Sequence, residues 1–267
     1  MKKSLALILF LSATIASAAI RVTDLSVEGR TDQPLGLDIL APRLGWRLQA
    51  DAEEKNVYQV HYHIQVASSR QLLEEGKPDL WDHSDDSHQS QYIPYAGKPL
   101  KPNQRCFWRV QVSTVQPKDV TVLTDETKAK KLKQKVSAWS DIAEWGVGLL
   151  SESHWKGYWI GLDKANAWDV ETEHSRLSAR YYRTTFAAKG KVQRATLHIS
   201  GLGLYEAYLN NQKVGQDVLT PAPTNYEKSI LYNTYDVTSL LQQGASENQL
   251  MVAVSNGRFY TMQQNKK

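Results

Sequence analysis

The sequence predicts an all-β protein of two consecutive β-sandwich domains, the first fibronectin-III or immunoglobulin-like and the second jelly-roll-like. Three observations carry that expectation. Apolar and polar residues alternate with a period of two through much of the 267-residue chain, in stretches rich in β-branched and aromatic residues. Gly, Pro, Asn and Asp bound those stretches, which follow one another without intervening helices. A Gly/Ser-rich stretch at 148–153 then breaks the pattern, leaving two lengths that each suit a domain of ~100–150 residues.

The N-terminus reads as a secretory signal peptide over 1–18. Met1-Lys2-Lys3 precedes an apolar run over 5–15 and the small residues Ala16-Ser-Ala-Ala19. That run falls within the ~7–15 residues of a signal's apolar region and short of the ~20 that span a bilayer. Cleavage near Ala18 would make the protein exported, periplasmic or extracellular, with no membrane span. The single cysteine, Cys106, allows no intramolecular disulfide and reads as a small buried hydrophobe within a strand.

In 19–148 the clearest strand is Tyr58-Gln-Val-His-Tyr-His-Ile-Gln-Val66. Alternation puts Tyr58, Val60, Tyr62, Ile64 and Val66 on the core face, and Gln59, His61, His63 and Gln65 on the wet one. Arg105-Cys-Phe-Trp-Arg-Val-Gln-Val112 repeats the pattern, and 90–95 and 143–147 supply shorter strands. Turn residues near Asp51, Gly76, Gly97 and Asn103 space these pieces as in a seven-strand sandwich. One helical turn or two is expected at Ser69-Arg-Gln-Leu-Leu-Glu-Glu-Gly76, capped by Ser69 and ended by Gly76.

In 149–267, strands are expected at 180–186, 194–200, 204–209, 213–214 and 250–254. Asn210-Asn211 suits a two-residue hairpin turn, because Asn tolerates the positive φ that such a turn needs. Gly201-Leu-Gly203 joins strand to strand and reads as a tight turn, with no helix N-terminus behind it to aim amides at a phosphate.

The net charge of +4 is local. Lys2 and Lys3 belong to the signal, and Lys128, Lys130, Lys131, Lys133 and Lys135 share one segment, 117–135. That segment has no aromatic residue on which a base could stack, so nucleic acid is excluded as a partner.

Site chemistry is sparse. His83-Ser-Asp-Asp-Ser-His88 and the His61/His63 pair have metal-binding residue types but no recognisable third or fourth ligand, so neither a metal nor another cofactor is expected. Glu171 and Glu173 read as a polar loop. Trp46, Trp108, Trp139 and Trp155 fall in strand patterns or joints and read as packing residues. Tyr205, Tyr226 and Arg258 are the residues expected near loops of the second sandwich, where an aromatic face could stack on a sugar ring. No catalytic residue is identified.

The second half resembles the N-terminal sandwich domain of bacterial α-L-rhamnosidases, glycoside hydrolases that remove terminal rhamnose. The likeness lies in His154-Trp-Lys-Gly-Tyr-Trp-Ile-Gly161, Ala179-Arg-Tyr-Tyr-Arg-Thr-Thr-Phe186, the run from Ala195 to Asn210, Val214-Gly-Gln-Asp-Val-Leu219, the run from Leu231 to Leu241, and Ser255-Asn-Gly257. The first half resembles that family's leading fibronectin-like module through Ala41-Pro-Arg-Leu-Gly-Trp-Arg47, Leu80-Trp-Asp82, Tyr95-Ala-Gly-Lys-Pro-Leu100, Phe107-Trp-Arg-Val110 and Ser137-Ala-Trp-Ser140. The resemblance implies rhamnose-containing glycans or glycosides as partners, and catalytic carboxylates on a later helical (α/α)6 domain that this chain does not reach. It thus implies an inactive chain that packs on a catalytic domain, with its second sandwich truncated. The alternative is a free-standing secreted glycan-binding or adhesion module.

Overall fold

The computed structural model describes residues 20–51, 54–118, 121, 132–162, 166–169, 178–244 and 247–261. The expected signal segment, Lys128, Lys130, Lys131, Glu171 and Glu173 lie outside the described residues. The chain forms two compact units. The first draws on Met1–Pro34, Leu40–Leu100 and Gln104–Trp145, and the second on Leu35–Ile39, Lys101–Asn103 and Gly146–Lys267.

The first unit is a sandwich with eight strands among the described residues, one more than the sequence predicts. β1 (Ile20–Val27), β2 (Arg43–Ala50) and β5 (Ile93–Pro94) form one antiparallel sheet. β4 (Trp81–Asp85), β3 (Tyr58–Ala67), β6 (Arg105–Val115) and β7 (Lys135–Val136) form the other, with β8 (Ala143–Gly146) also paired to β6. Strand β6 behaves as its alternation predicts: Cys106, Trp108, Val110 and Val112 are buried, and Arg105, Phe107, Arg109 and Gln111 are partly exposed. Trp46, Trp108 and Trp145 are completely buried, together with Leu44, Ile64 and Val66. Burial pushes the Cys106 thiol up to about 12, so it packs as a hydrophobe.

Strand β3 departs from its predicted alternation. Its register against β6 shifts between Gln59 and His61, which makes Val60 the extra residue of a bulge. The bulge turns Gln59 inward, where it is 5% exposed. There the Trp46 indole donates to Gln59 Oε1 (2.9 Å), and Gln59 Nε2 donates to the carbonyls of Ser87 (3.1 Å) and Gln89 (2.8 Å). Tyr58 and Val60, expected in the core, are only half-buried. Gln65 is also buried, and its Oε1 accepts from Arg109 (2.8 Å).

Helix α1 (Arg70–Glu74) of this unit is closed at both ends as expected. Ser69 accepts from the Leu72 amide, while Gly76 (φ +69°) and Lys77 donate to Leu73 and Leu72, a Schellman closure. Ser137-Ala-Trp139-Ser140 runs beside β6. Both serine hydroxyls accept from β6 amides, at Val112 (3.1 Å) and Val110 (3.0 Å), so Trp139 lies over the Arg109 guanidinium (4.4 Å). Trp139 is therefore a half-buried surface stack and not a core residue.

The second unit has a four-stranded antiparallel sheet: β12 (Gln212–Lys213), β11 (Leu204–Leu209), β14 (Asn248–Ser255) and β9 (Arg180–Phe186) in spatial order. A two-stranded sheet of β10 (Thr196–Ser200) and β13 (Tyr232–Asp236) accompanies it. Asn210 (φ +50°) and Asn211 (φ +66°) form the predicted two-residue turn between β11 and β12. The core gathers on Ala207, Leu209, Val214 and Val237, with Leu197, Ile199, Leu250 and Val252 packed against it. A short helix, α2 (Arg258–Thr261), follows β14.

Candidate functional site

Alternation along β10 and β13 gives their two-stranded sheet unlike faces. Leu197, Ile199 and Tyr235 pack on the core cluster. His198, paired with Thr234, and Ser200, paired with Tyr232, point the other way. That outer face borders a cavity of about 660 Å³, lined among others by Trp155, Tyr158, Trp159, His198, Tyr226 and Tyr232. Glu152, Glu227 and Lys228 add charge at exposed positions.

Tyr232 holds this wall together. The Leu149 amide donates to its hydroxyl (2.8 Å), and Trp155 meets its ring edge-on with centroids 5.2 Å apart. Burial pushes the Tyr232 hydroxyl up to about 12. A Cβ at Gly148 would lie 2.2 Å from Asp38 Oδ1 and 2.5 Å from the Tyr232 hydroxyl, so only glycine fits beside this ring. Asp38 accepts from the Leu150 amide (2.8 Å), which fixes the segment leading to Trp155.

His198 packs against Tyr232 at 5.8 Å, with its Nδ1 2.9 Å from Thr234 Oγ1. Its Nε2 is buried and has no hydrogen-bond partner among the described residues. Desolvation lowers its pKa, with Asp38 opposing weakly, so the neutral imidazole is favoured. The sequence offers no signal for this residue, since alternation assigns it to a wet face.

The residues singled out from the sequence do not converge. Tyr205 is 4% exposed, which removes it from a glycan-facing edge. It lies on β11, and its hydroxyl donates to Asn233 Oδ1 (2.8 Å). Tyr226 does line the cavity, and meets Phe259 edge-on at 5.6 Å. Arg258 is exposed at the start of α2. Trp155, expected to be a packing residue, is a half-buried wall of the cavity.

In the first unit the candidate metal residues are distributed among other contacts. His61 Nδ1 faces Asp86 (2.7 Å), His63 Nε2 faces Asp82 (2.5 Å), His83 stacks on Trp81 and His88 Nδ1 faces the Gln59 carbonyl. No group of three His, Cys, Asp or Glu side chains suited to a metal occurs among the described residues. The described carboxyls with displaced titrations, Asp169 beside Ser178 and Arg180 among them, are all displaced downward by hydrogen bonds and cations. A general acid for glycoside hydrolysis needs the opposite shift.

Two family models match the chain. Residues 22–123 match the Rha78A-like N-terminal immunoglobulin domain, and residues 190–267 match the α-L-rhamnosidase N-terminal domain. An α-L-rhamnosidase of Formosa agariphila is 33% identical over an alignment of 242 residues that covers 85% of this chain and 23% of that protein. One from Alteromonas sp. (strain LOR) is 30% identical, over 89% of this chain and 24% of its own length. The chain thus spans about a quarter of the length of the curated relatives it matches. Among solved structures, the α-L-rhamnosidase of Dictyoglumus thermophilum superposes with a TM-score of 0.74 at 30% identity, covering 89% of this chain and 25% of that one. That of Aspergillus terreus gives 0.69 at 26% identity, covering 90% and 24%. Residues 22–123 and 190–267 are therefore N-terminal domains of the kinds that α-L-rhamnosidases carry.

Proposed function

We propose that this chain is the N-terminal accessory part of an exported α-L-rhamnosidase that hydrolyses terminal α-L-rhamnosides, with catalysis supplied by a further helical domain of the same polypeptide. The carrying observation is the pair of N-terminal domain types in order, on a chain that spans about a quarter of its relatives. The carboxyls whose titrations are displaced, Asp169 and Glu206 among them, are displaced downward, which suits structural pairing and not the role of a general acid. Export rests on the signal-like pattern of residues 1–18. The accessory part would pack on the catalytic domain and help to shape its substrate pocket.

Hydrolysis of p-nitrophenyl α-L-rhamnoside tests this reading. The 267-residue chain alone is expected to give no turnover, and the full product of its gene is expected to hydrolyse the substrate. Saturable turnover by the chain alone would place catalytic carboxylates within it and overturn the accessory reading.

A further inference from the structure

The four-stranded sheet of the second unit has two unlike faces. Ala207 and Leu209 of β11 point into the core cluster, with Leu250 and Val252 of β14 packed beside them. Alternation turns Glu206 and Tyr208, Met251 and Ala253, and Tyr181, Arg183 and Thr185 to the opposite side. The register aligns these side chains in rows across the strands. Lys213, Tyr208, Met251 and Arg183 form one row, and Glu206, Ala253 and Tyr181 form the next.

The charges of this outer face do not cancel. Glu206 accepts from the Tyr208 hydroxyl (2.7 Å) and from Lys213 Nζ (2.6 Å), so Lys213 is neutralised and the Tyr208 ring is anchored. Arg183 is exposed and has neither an ion pair nor a hydrogen bond among the described residues. Tyr181, 73% exposed, stands one row away on the same strand. On β14, between the two tyrosines, the half-buried Met251 and Ala253 supply a low apolar strip.

This combination selects a class of ligand. The centre of a protein interface is apolar and depleted in charge, whereas this face mixes Arg, Lys, Glu, Thr and Tyr. A nucleic acid needs a run of cations for its phosphates, which one unpaired guanidinium does not provide. Exposed tyrosine rings fit the C–H faces of pyranose rings. Two strand spacings put the backbones of Tyr181 and Tyr208 about 10 Å apart, the reach of two linked sugars. A guanidinium fork fits a planar carboxylate, meeting its two oxygens with parallel N–H donors.

We propose that this face binds an acidic polysaccharide, a chain containing uronic acid. Tyr181 and Tyr208 lie under neighbouring sugar rings, and Arg183 holds the carboxylate of one of them. None of these residues lines the cavity around Tyr232. The site does not depend on the accessory reading, since every residue of it belongs to this chain.

Calorimetric titration of the 267-residue chain with oligogalacturonate, a neutral galactan oligosaccharide and a sulfated one tests the site. Oligogalacturonate is expected to bind at least about tenfold more tightly than the neutral sugar, and less tightly at high ionic strength. Arg183→Gln should remove that preference, and Tyr181→Ala should weaken binding about three- to tenfold. Both side chains are exposed, so each variant should keep the thermal midpoint of the unaltered chain. Oligogalacturonate binding that either variant leaves unchanged would place the sugar elsewhere and overturn the proposal. Absence of that binding, equal binding of the neutral sugar, or tighter binding of the sulfated one would overturn it as well. So would a concentration-dependent dimer that Tyr181→Ala dissociates, since the face would then belong to a second copy.

Discussion

The two units bury their aromatic residues very differently. In the first, three tryptophans have no exposure, and among the described residues Leu40, Tyr92 and Val136 are its exposed large apolar side chains. In the second, Tyr205 is the buried aromatic among the described residues and the core cluster contains nothing larger than Leu209, while Trp159, Trp168, Tyr181 and Val218 are each more than half exposed. The same alternating code thus builds a closed sandwich in one unit and an open one in the other. An apolar strand face is stabilised only when a second layer covers it. The first unit contains both layers; the second covers β11 and β14 but leaves Tyr181 and Phe186 of β9 exposed.

The sharpest way to break this comparison is to open the closed core. Trp108→Ala removes a fully buried indole next to β3 and should destabilise the first unit by about 3–5 kcal/mol. The exchange-derived opening free energy of β6 amides would report it, with β11 amides unchanged. An equal loss at β11 would show that the units unfold together and that their cores cannot be compared separately. Gln59→Ala should cost the first unit less, about 2–3 kcal/mol, by leaving the Trp46 indole and the Ser87 and Gln89 carbonyls without their partner. A loss below about 0.5 kcal/mol would mean that water replaces the amide and that this core is less closed than its exposures suggest.

Gln59 also marks how far the fold can be read from residues alone. Sheet class, the helix caps at Ser69 and Gly76 and the Asn210-Asn211 turn are legible, because each depends on chemistry within a few residues. The bulge at Val60 is not, since it depends on how β3 meets β6, a strand distant in sequence. The cavity is the least legible feature. Tyr226 stands out through its aromatic character, but His198 acquires its environment only when Tyr232 packs on it, and Tyr205 is misread because nothing local marks a buried strand tyrosine.

A pair of substitutions at the turn of the second unit compares specific bonding with backbone geometry. Asn210 donates to the Leu240 carbonyl and Asn248 Oδ1 and accepts from the Gln249 amide, whereas Asn211 contributes its positive φ. Asn210→Gly should therefore cost about 1–2 kcal/mol. Asn211→Gly should stay within about 0.5 kcal/mol, since glycine adopts that φ freely. Equal effects, measured by urea unfolding, would mean that the bonds of Asn210 add nothing to this unit.

The smallest effect concerns pH. His198 is half-buried and desolvation holds its pKa below the ordinary value, so the unfolded chain takes up this proton at higher pH than the folded unit does. Its contribution to stability is therefore fully present above the unfolded value of about 6.5 and is lost as pH falls from there toward the lower folded value. The second unit should weaken modestly between about pH 7 and pH 5, as followed by exchange at β10 and β13. His198→Gln should flatten that dependence, because glutamine keeps a polar group near Thr234 but takes up no proton. If the substitution leaves the pH dependence unchanged, the imidazole is wetter than its buried Nε2 indicates, and the wall around Tyr232 is as open as the rest of the second unit.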